Sequence, residues 1–189
     1  MLAGPRIETP RLLLRPPQAE DFEGFCALAA DPEASRFIGG VQPRENVWRS
    51  LCTITGAWVI NGASMFSVIE KETGQWIGRL GPWHPVGWPG TEVGWGLLKS
   101  AWGKGYAGEG AAAAMDFAVD QLGWQEIIHC IEAENTPSIR VAERLGSRKL
   151  RQVPAPPPFK DVVWDIYGQS AEEWRARSRT RQAPSEPAP

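Results

Sequence analysis

The residues whose type and spacing could do chemistry are few in this chain. Gly103-Lys104-Gly105-Tyr106-Ala107-Gly108 lies between a strand-like run and a helical one. There, several backbone N–H groups and the positive end of a helix converge on one point, which suits an anion such as a diphosphate. A glycine-rich turn that only packs is the alternative, although the alanines at 111–114 also ask for close backbone approach. Taken literally the segment matches G-x-G-x-x-G, the dinucleotide fingerprint of an oxidoreductase. Lys99-Ser100-Ala101-Trp102 separate it from its strand, however, and too little chain follows to supply a doubly wound sheet and a substrate domain. No G-x-x-x-x-G-K followed by Ser or Thr and no G-x-S-x-G occurs, which sets aside P-loop kinases and triad hydrolases. His84 and His129, with Cys26, Cys52 and Cys130, are too scattered for four paired zinc ligands or a disulfide framework, so no metal is expected.

The elements that must position these residues follow from periodicity. Phe22, Phe25, Cys26 and Ala29 mark an amphipathic helix over 19–30 that Asp31-Pro32 stops. Val47, Leu51, Ile54 and Trp58 mark a second, opened by Pro43 and closed near Asn61-Gly62. Runs at 64–70 and 75–80 read as a hairpin around Lys71-Glu72-Thr73-Gly74, and 91–98 reads as a third strand after a loop over 82–90. A helix with Ala111, Ala114, Met115, Ala118 and Leu122 on one face then crosses over to a strand at 126–132. Asn135-Thr136-Pro137 opens a helix that Gly146 closes. Strands at 148–153 and 162–167 flank a proline-rich loop, and 11–15 reads as an edge strand. The expected fold is a single α/β domain of α+β type over 1–174, followed by an Arg/Pro-rich tail over 175–189 read as disordered.

Composition narrows the class of function. With 189 residues, 42% hydrophobic and 22% charged, the chain is an ordinary globular domain without a repeat or a run of apolar residues long enough for a bilayer. Its first residues hold no secretory leader, so a cytoplasmic protein is expected. The net charge of -2 hides an asymmetry, since 175–189 carries +3 and the body therefore -5. An acidic body does not suit a stable nucleic-acid complex. Ten tryptophans are many for this length.

Four segments together resemble a known family. Thr9-Pro10-Arg11-Leu12-Leu13-Leu14-Arg15 with Asp21, then Glu92-Val93-Gly94-Trp95, then Ala101-Trp102-Gly103-Lys104-Gly105-Tyr106-Ala107, and finally Asn135-Thr136-Pro137-Ser138 running to Leu145-Gly146, are similar in kind and order to the GNAT acyl-coenzyme A N-acetyltransferases. The branch is the one related to ribosomal-protein N-terminal acetyltransferases. In the family signature Q/R-x-x-G-x-G/A, Trp102 stands at the first position, and Gly105 and Ala107 at the others. The resemblance implies a mixed, mostly antiparallel sheet flanked by helices and splayed open at the coenzyme. It implies acetyl-CoA as cosubstrate and direct transfer to a primary amine, on a protein N-terminus or a small molecule. Trp95, Gly96, Leu97, Trp102, Gly103, Lys104, Gly105, Tyr106, Ala107, Asn135 and Ser138 are then the coenzyme-binding residues.

Transfer to an amine needs the amine neutral, the thioester carbonyl polarised and the departing thiolate protonated. Glu92 is the carboxylate placed to take the amine proton, and N–H groups left free by a bulge near Gly94 and Gly96 would polarise the carbonyl. Many relatives carry a Tyr acid four residues before the closing glycine, where this chain has Ala142, so Ser138 becomes the candidate acid and Asn135 the residue that orients the pantetheine. Trp83, His84 and Trp88 are candidates for the acceptor wall, or, for the two tryptophans, for a homodimer contact. A coenzyme-sensing domain without turnover is the non-enzymatic alternative.

Overall fold

The computed structural model describes residues 4–157, 159 and 161–182. Strands β1 (Ile7–Glu8), β2 (Leu12–Arg15), β3 (Phe66–Glu70), β4 (Trp76–Trp83) and β5 (Glu92–Leu97) pair antiparallel in chain order. Helix α3 (Tyr106–Asp120) then crosses over, and β6 (Glu126–Glu132) returns parallel to β5. Beyond it β8 (Val163–Ser170) and the outermost β7 (Arg148–Pro154) complete an eight-stranded sheet in the order β1-β2-β3-β4-β5-β6-β8-β7. The mixed sheet and its strand–helix–strand crossover are those expected from the sequence.

Helices cover both faces. On one, α1 (Phe22–Ala30) and α2 (Arg44–Ile60) bury Phe25, Cys26, Val47, Leu51 and Ile54 against Met65. All four positions of the α2 stripe are at most 6% exposed, as a 3.6-residue period requires. Asp31 is extended, which ends α1 before Pro32. On the other face α3, α4 (Thr136–Leu145) and α5 (Ala171–Gln182) contribute Met115, Leu145 and Trp174 to the main cluster with Leu12, Leu14, Leu80 and Val93. A Cβ on Gly110 would lie 2.5 Å from Leu80 Cδ2, so α3 rests directly on β4 and only glycine fits. Arg15 grips Asp21 through two N–H groups at 2.7 and 2.8 Å, Ser67 donates to the same carboxylate at 2.7 Å, and the Trp76 indole donates to Ser67 at 3.0 Å. This buried network knits β2, β3 and β4 to the start of α1, a structural duty for Arg15 and Asp21.

Three expectations are corrected. The segment 11–15 is interior, because the two residues of β1 pair outside it (Ile7 with Leu14, Glu8 with Leu13) and are too few to show a period. No bulge interrupts β5, whose register with β4 runs evenly from Gly78–Leu97 to Trp83–Glu92; the register shifts lie elsewhere, at Val68–Ile69 in the β3–β4 pairing and at Lys149–Arg151 in the β7–β8 pairing. The tail expected from 175 is helical through Gln182. Trp174 sends its indole N–H to Asp116 at 2.8 Å, and Arg175 donates to the Val119 carbonyl at 3.2 Å near the end of α3. One buried tryptophan and that clasp at a negative helix end hold a segment otherwise poor in apolar residues. The remainder of the expected tail, 183–189, lies outside the described residues.

Candidate active site

The sheet opens between β5 and β6. These parallel strands are paired at Glu92 with Ile128 alone, while β6 pairs with β8 along its whole length. The Leu98 N–H donates to the Ile77 carbonyl at 2.9 Å. Alternation along the β4–β5 ladder then aims the polar backbone of Gly96 and Gly94 at β4 and that of Leu97, Trp95 and Val93 into the gap. Two contacts agree with that phase: the Trp102 indole donates to the Leu97 carbonyl at 3.0 Å, and His129 Nδ1 lies 2.6 Å from the Val93 carbonyl. The free N–H groups expected from a bulge thus arise from the opening itself. Gly96, expected to bind the coenzyme, spends its backbone on the ladder and offers only its lack of a side chain, with Ile38 Cδ1 3.1 Å from where a Cβ would be.

At the end of β5 the chain makes the glycine turn. Gly103 and Gly105 hold φ of +73° and +82°, conformations that L side chains rarely adopt. Gly105 precedes the first turn of α3 without a side-chain cap, so the leading N–H groups of that helix face the turn unclaimed by a capping side chain. Lys104 is exposed, with its Nζ 5.9 Å from the Tyr106 ring centre. The Tyr106 ring is buried and its hydroxyl donates to Glu70 at 2.5 Å, so this residue can offer the turn its backbone and not its phenol. Ala107, half-buried, follows in the same turn. Arg11 braces the loop from beneath: it donates to the Lys104 carbonyl at 2.8 Å, bonds Glu109 at 2.6 Å and lies 4.6 Å over the Tyr106 ring. No local pattern could have announced that role, because its partners lie 93 and 98 residues away.

On the α1–α2 face of the opening stands Glu92, only 6% exposed. Its Oε2 accepts the Trp88 indole N–H at 2.5 Å and its Oε1 the Cys130 backbone N–H at 3.2 Å. Burial pushes its pKa up to about 7; the donors from Cys130 and Trp88 and the charge of Arg79 pull the other way. Trp88 packs edge-on to Trp83 at 6.3 Å and against Trp164 at 5.1 Å, forming an aromatic wall beside the carboxylate. Cys130, unforeseen as part of the site, has its thiol pKa raised by burial and by Glu92. His84 is exposed in the loop after β4 and is not drawn into this cluster. Trp83 also lines a hollow of about 500 Å³ along α2 with Cys52 and Ile60, which does not include Glu92.

Across the gap, Asn135 Oδ1 caps α4 by accepting the Ser138 N–H at 3.2 Å. The Trp95 indole donates to Ser138 Oγ at 3.2 Å, leaving the hydroxyl proton free to be given elsewhere. The Trp95 ring also leans on His129 at 5.0 Å. His129 is 1% exposed, held between the Val93 carbonyl and Ser147 Oγ (3.0 Å), and burial lowers its pKa to about 4. It is neutral, with Nδ1–H given to Val93 and Nε2 accepting from Ser147, and serves as a strut across the opening. Glu92, Trp95, Leu97, Asn135 and Ser138 thus border one gap that the glycine turn continues. Among the described residues no group of three or more His, Cys, Asp or Glu is arranged to hold a metal, and no helix is long and apolar enough to cross a membrane.

Residues 11–148 match the family profile of the acetyltransferase (GNAT) domain. The uncharacterized N-acetyltransferase p20 of Bacillus licheniformis is 32% identical over 166 residues, 85% of this chain and 92% of its own length. FsC-acetyl coenzyme A-N(2)-transacetylase of Aspergillus fumigatus is 27% identical over 91% of this chain and 79% of its own. Among solved structures, an acetyltransferase from Agrobacterium tumefaciens superposes with a TM-score of 0.78 at 30% identity, covering 89% of this chain and 96% of that one.

Proposed function

The chain belongs to the GNAT acetyltransferases, and on that premise we propose that it carries the acetyl group of acetyl-CoA to a primary amine by direct transfer, both substrates bound at the gap. One observation carries the reading. The sheet opens just past a buried carboxylate whose pKa is about 7, so that a proton acceptor poised for neutral pH sits at the mouth of a gap edged by inward-turned N–H groups.

The donor fits the residues present. The left-handed Gly103 and Gly105 with the leading N–H groups of α3 suit its diphosphate, and the N–H groups of Trp95 and Leu97, with Asn135, suit its amide-bearing arm. Bound there, acetyl-CoA supplies an activated acyl group. The chain's own residues do the rest. Glu92, ionised above about pH 7, takes the proton of the incoming amine. An α-amine, with an ordinary pKa near ~8 against ~10.4 for a lysine, asks less of that base. An N–H turned into the gap polarises the acyl oxygen. Ser138, fixed by Trp95, gives its proton to the departing sulfur and regains one from solvent, to which Glu92 releases the proton of the amine. Such an enzyme works where acetyl-CoA is made, in the cytoplasm, and the three free thiols suit that compartment.

Calorimetric titration with acetyl-CoA, followed by thiol release with a panel of amines, tests the reading. One-site binding and amine-dependent release are expected. Binding without release for any amine leaves a coenzyme sensor, and absence of binding overturns the donor.

A further inference from the structure

We infer that the acceptor carries a carboxylate near its amine, and that Arg79 is the residue that receives it. The inference rests on the acetyltransferase reading above and adds the acceptor's chemical class to it.

Arg79 lies on β4 opposite Gly96, four residues along the ladder from Trp83, which faces Glu92. Its guanidinium points to the α1–α2 face, where NH1 donates to Met65 Sδ. The missing side chain of Gly94 marks the spot these groups share: a Cβ there would lie 3.2 Å from Glu92 Oε1 and 3.3 Å from Met65 Cε. Proton acceptor and thioether therefore meet at one point on the floor of the opening, and the guanidinium adjoins it through Met65.

What sets Arg79 apart is its partner. Guanidinium groups carry five donors and favour a two-pronged grip on a carboxylate, whereas a thioether is a weak acceptor. The bond to Met65 is the one hydrogen bond the Arg79 side chain makes among the described residues, and none of the ion pairs among them includes it. Arg15 shows the usual arrangement, with both prongs on Asp21. Arg79 is half-buried and burial lowers its pKa, so water makes up the difference only in part. Nor does Glu92 close on it, because the Trp88 indole and the Cys130 N–H hold that carboxylate in place. A half-dry cation left with a soft, mobile side chain as its neighbour is costly unless an anion arrives from outside. Met65, unbranched, can swing aside for it. An amine delivered to Glu92 with a carboxylate delivered to Arg79 describes an amino acid, or a peptide with an acidic group close to its N-terminus.

The test uses the full chain with acetyl-CoA and reads thiol release for matched pairs: L-amino acids against their amides, and dipeptide amides with Asp against Asn at the second position. We expect the acid of at least one kind of pair to exceed its neutral partner in kcat/KM by about 10- to 100-fold, the worth of a hydrogen-bonded charge. Whichever kind of pair shows it identifies the source of the carboxylate. Arg79→Met, assayed well above the pH of the Glu92 limb because loss of the charge also raises the pKa of that carboxyl, should bring the ratio close to one by raising KM for the acid. Arg79→Lys should keep part of it, and it also serves if the Met variant does not fold. Equal rates within every pair overturn the inference. So does a Met variant that slows acid and neutral partners alike, which would make Arg79 a mere counter-charge to Glu92. Acetyl-CoA binding without acetylation of any panel member sinks the acceptor class and leaves the donor intact, whereas no binding removes the enzyme reading itself.

Discussion

The two banks of the opening are made of different material. The bank toward α3 is backbone: the turn at Gly103 and Gly105, the leading N–H groups of α3, and the N–H groups of Trp95 and Leu97. The bank toward α1 and α2 is side chains brought from separate elements, with Glu92 from β5, Trp88 from the loop before it, Arg79 from β4 and Met65 from the approach to β3. A backbone site tolerates changes of side chain but not of conformation, since its donors come with the peptide. A side-chain site has the opposite weakness, and one atom can remove its chemistry while the fold stands. The donor bank should therefore fail by loss of binding and the acceptor bank by loss of rate.

The largest effect should come from breaking the backbone bank. Gly105→Glu forces an L side chain into φ of +82° and sets a carboxylate where the diphosphate is proposed to lie; acetyl-CoA binding should fall below calorimetric detection. Unchanged affinity would move the coenzyme elsewhere. Next, Glu92→Gln should lower kcat by about 10²- to 10⁴-fold with coenzyme affinity unchanged. The wild-type rate should rise with pH through about 7 and the variant should lack that limb, keeping only the acceptor amine's own titration. The same carboxyl bears on stability. Its folded pKa of about 7 exceeds the ordinary 4.5, so between those values the folded chain holds a proton that the unfolded chain releases, and stability falls as pH rises through the window. Chemical denaturation across pH should show that slope in the wild type and not in Glu92→Gln. Ser138→Ala should cost less, about tenfold in kcat, because a thiolate is already a fair leaving group. Smallest, Trp88→Phe keeps the aromatic wall but deletes the donor at 2.5 Å, so the rate limb should move above pH 7 with little loss at its plateau. A limb that stays put would mean Trp88 is only packing.

What the sequence made legible was local. The α2 stripe, the Pro and Gly stops of α1 and α4, the crossover through α3 and the glycine turn all depend on residues within a few positions of one another, where period and conformational preference act. What stayed hidden needs the assembled sheet. Arg11 finds Glu109 across 98 residues, Cys130 meets Glu92 across 38, and His129 spans to Val93 across 36. The opening was foreseen only through resemblance. Its local cause was misplaced, because two glycines in β5 suggested a bulge where strand divergence leaves the N–H groups free. The helix over 171–182 was missed since its hold on the core is one tryptophan and the small Ala171 beside a run of arginines.

The opening has a consequence for cohesion. Beyond Glu92 and Ile128, β5 and β6 each present a strand edge, and these edges lie in the middle of the sheet instead of at its rim. A rim edge invites any passing chain, whereas this one is flanked by α3 and α4 on one side and by α1 on the other, which suits a slender, extended molecule with amides of its own. Such a molecule would play the part of a ninth strand, linking the slab of β1 to β5 to the slab of β6, β8 and β7. The sheet would then be stitched shut by the very compound it acts upon.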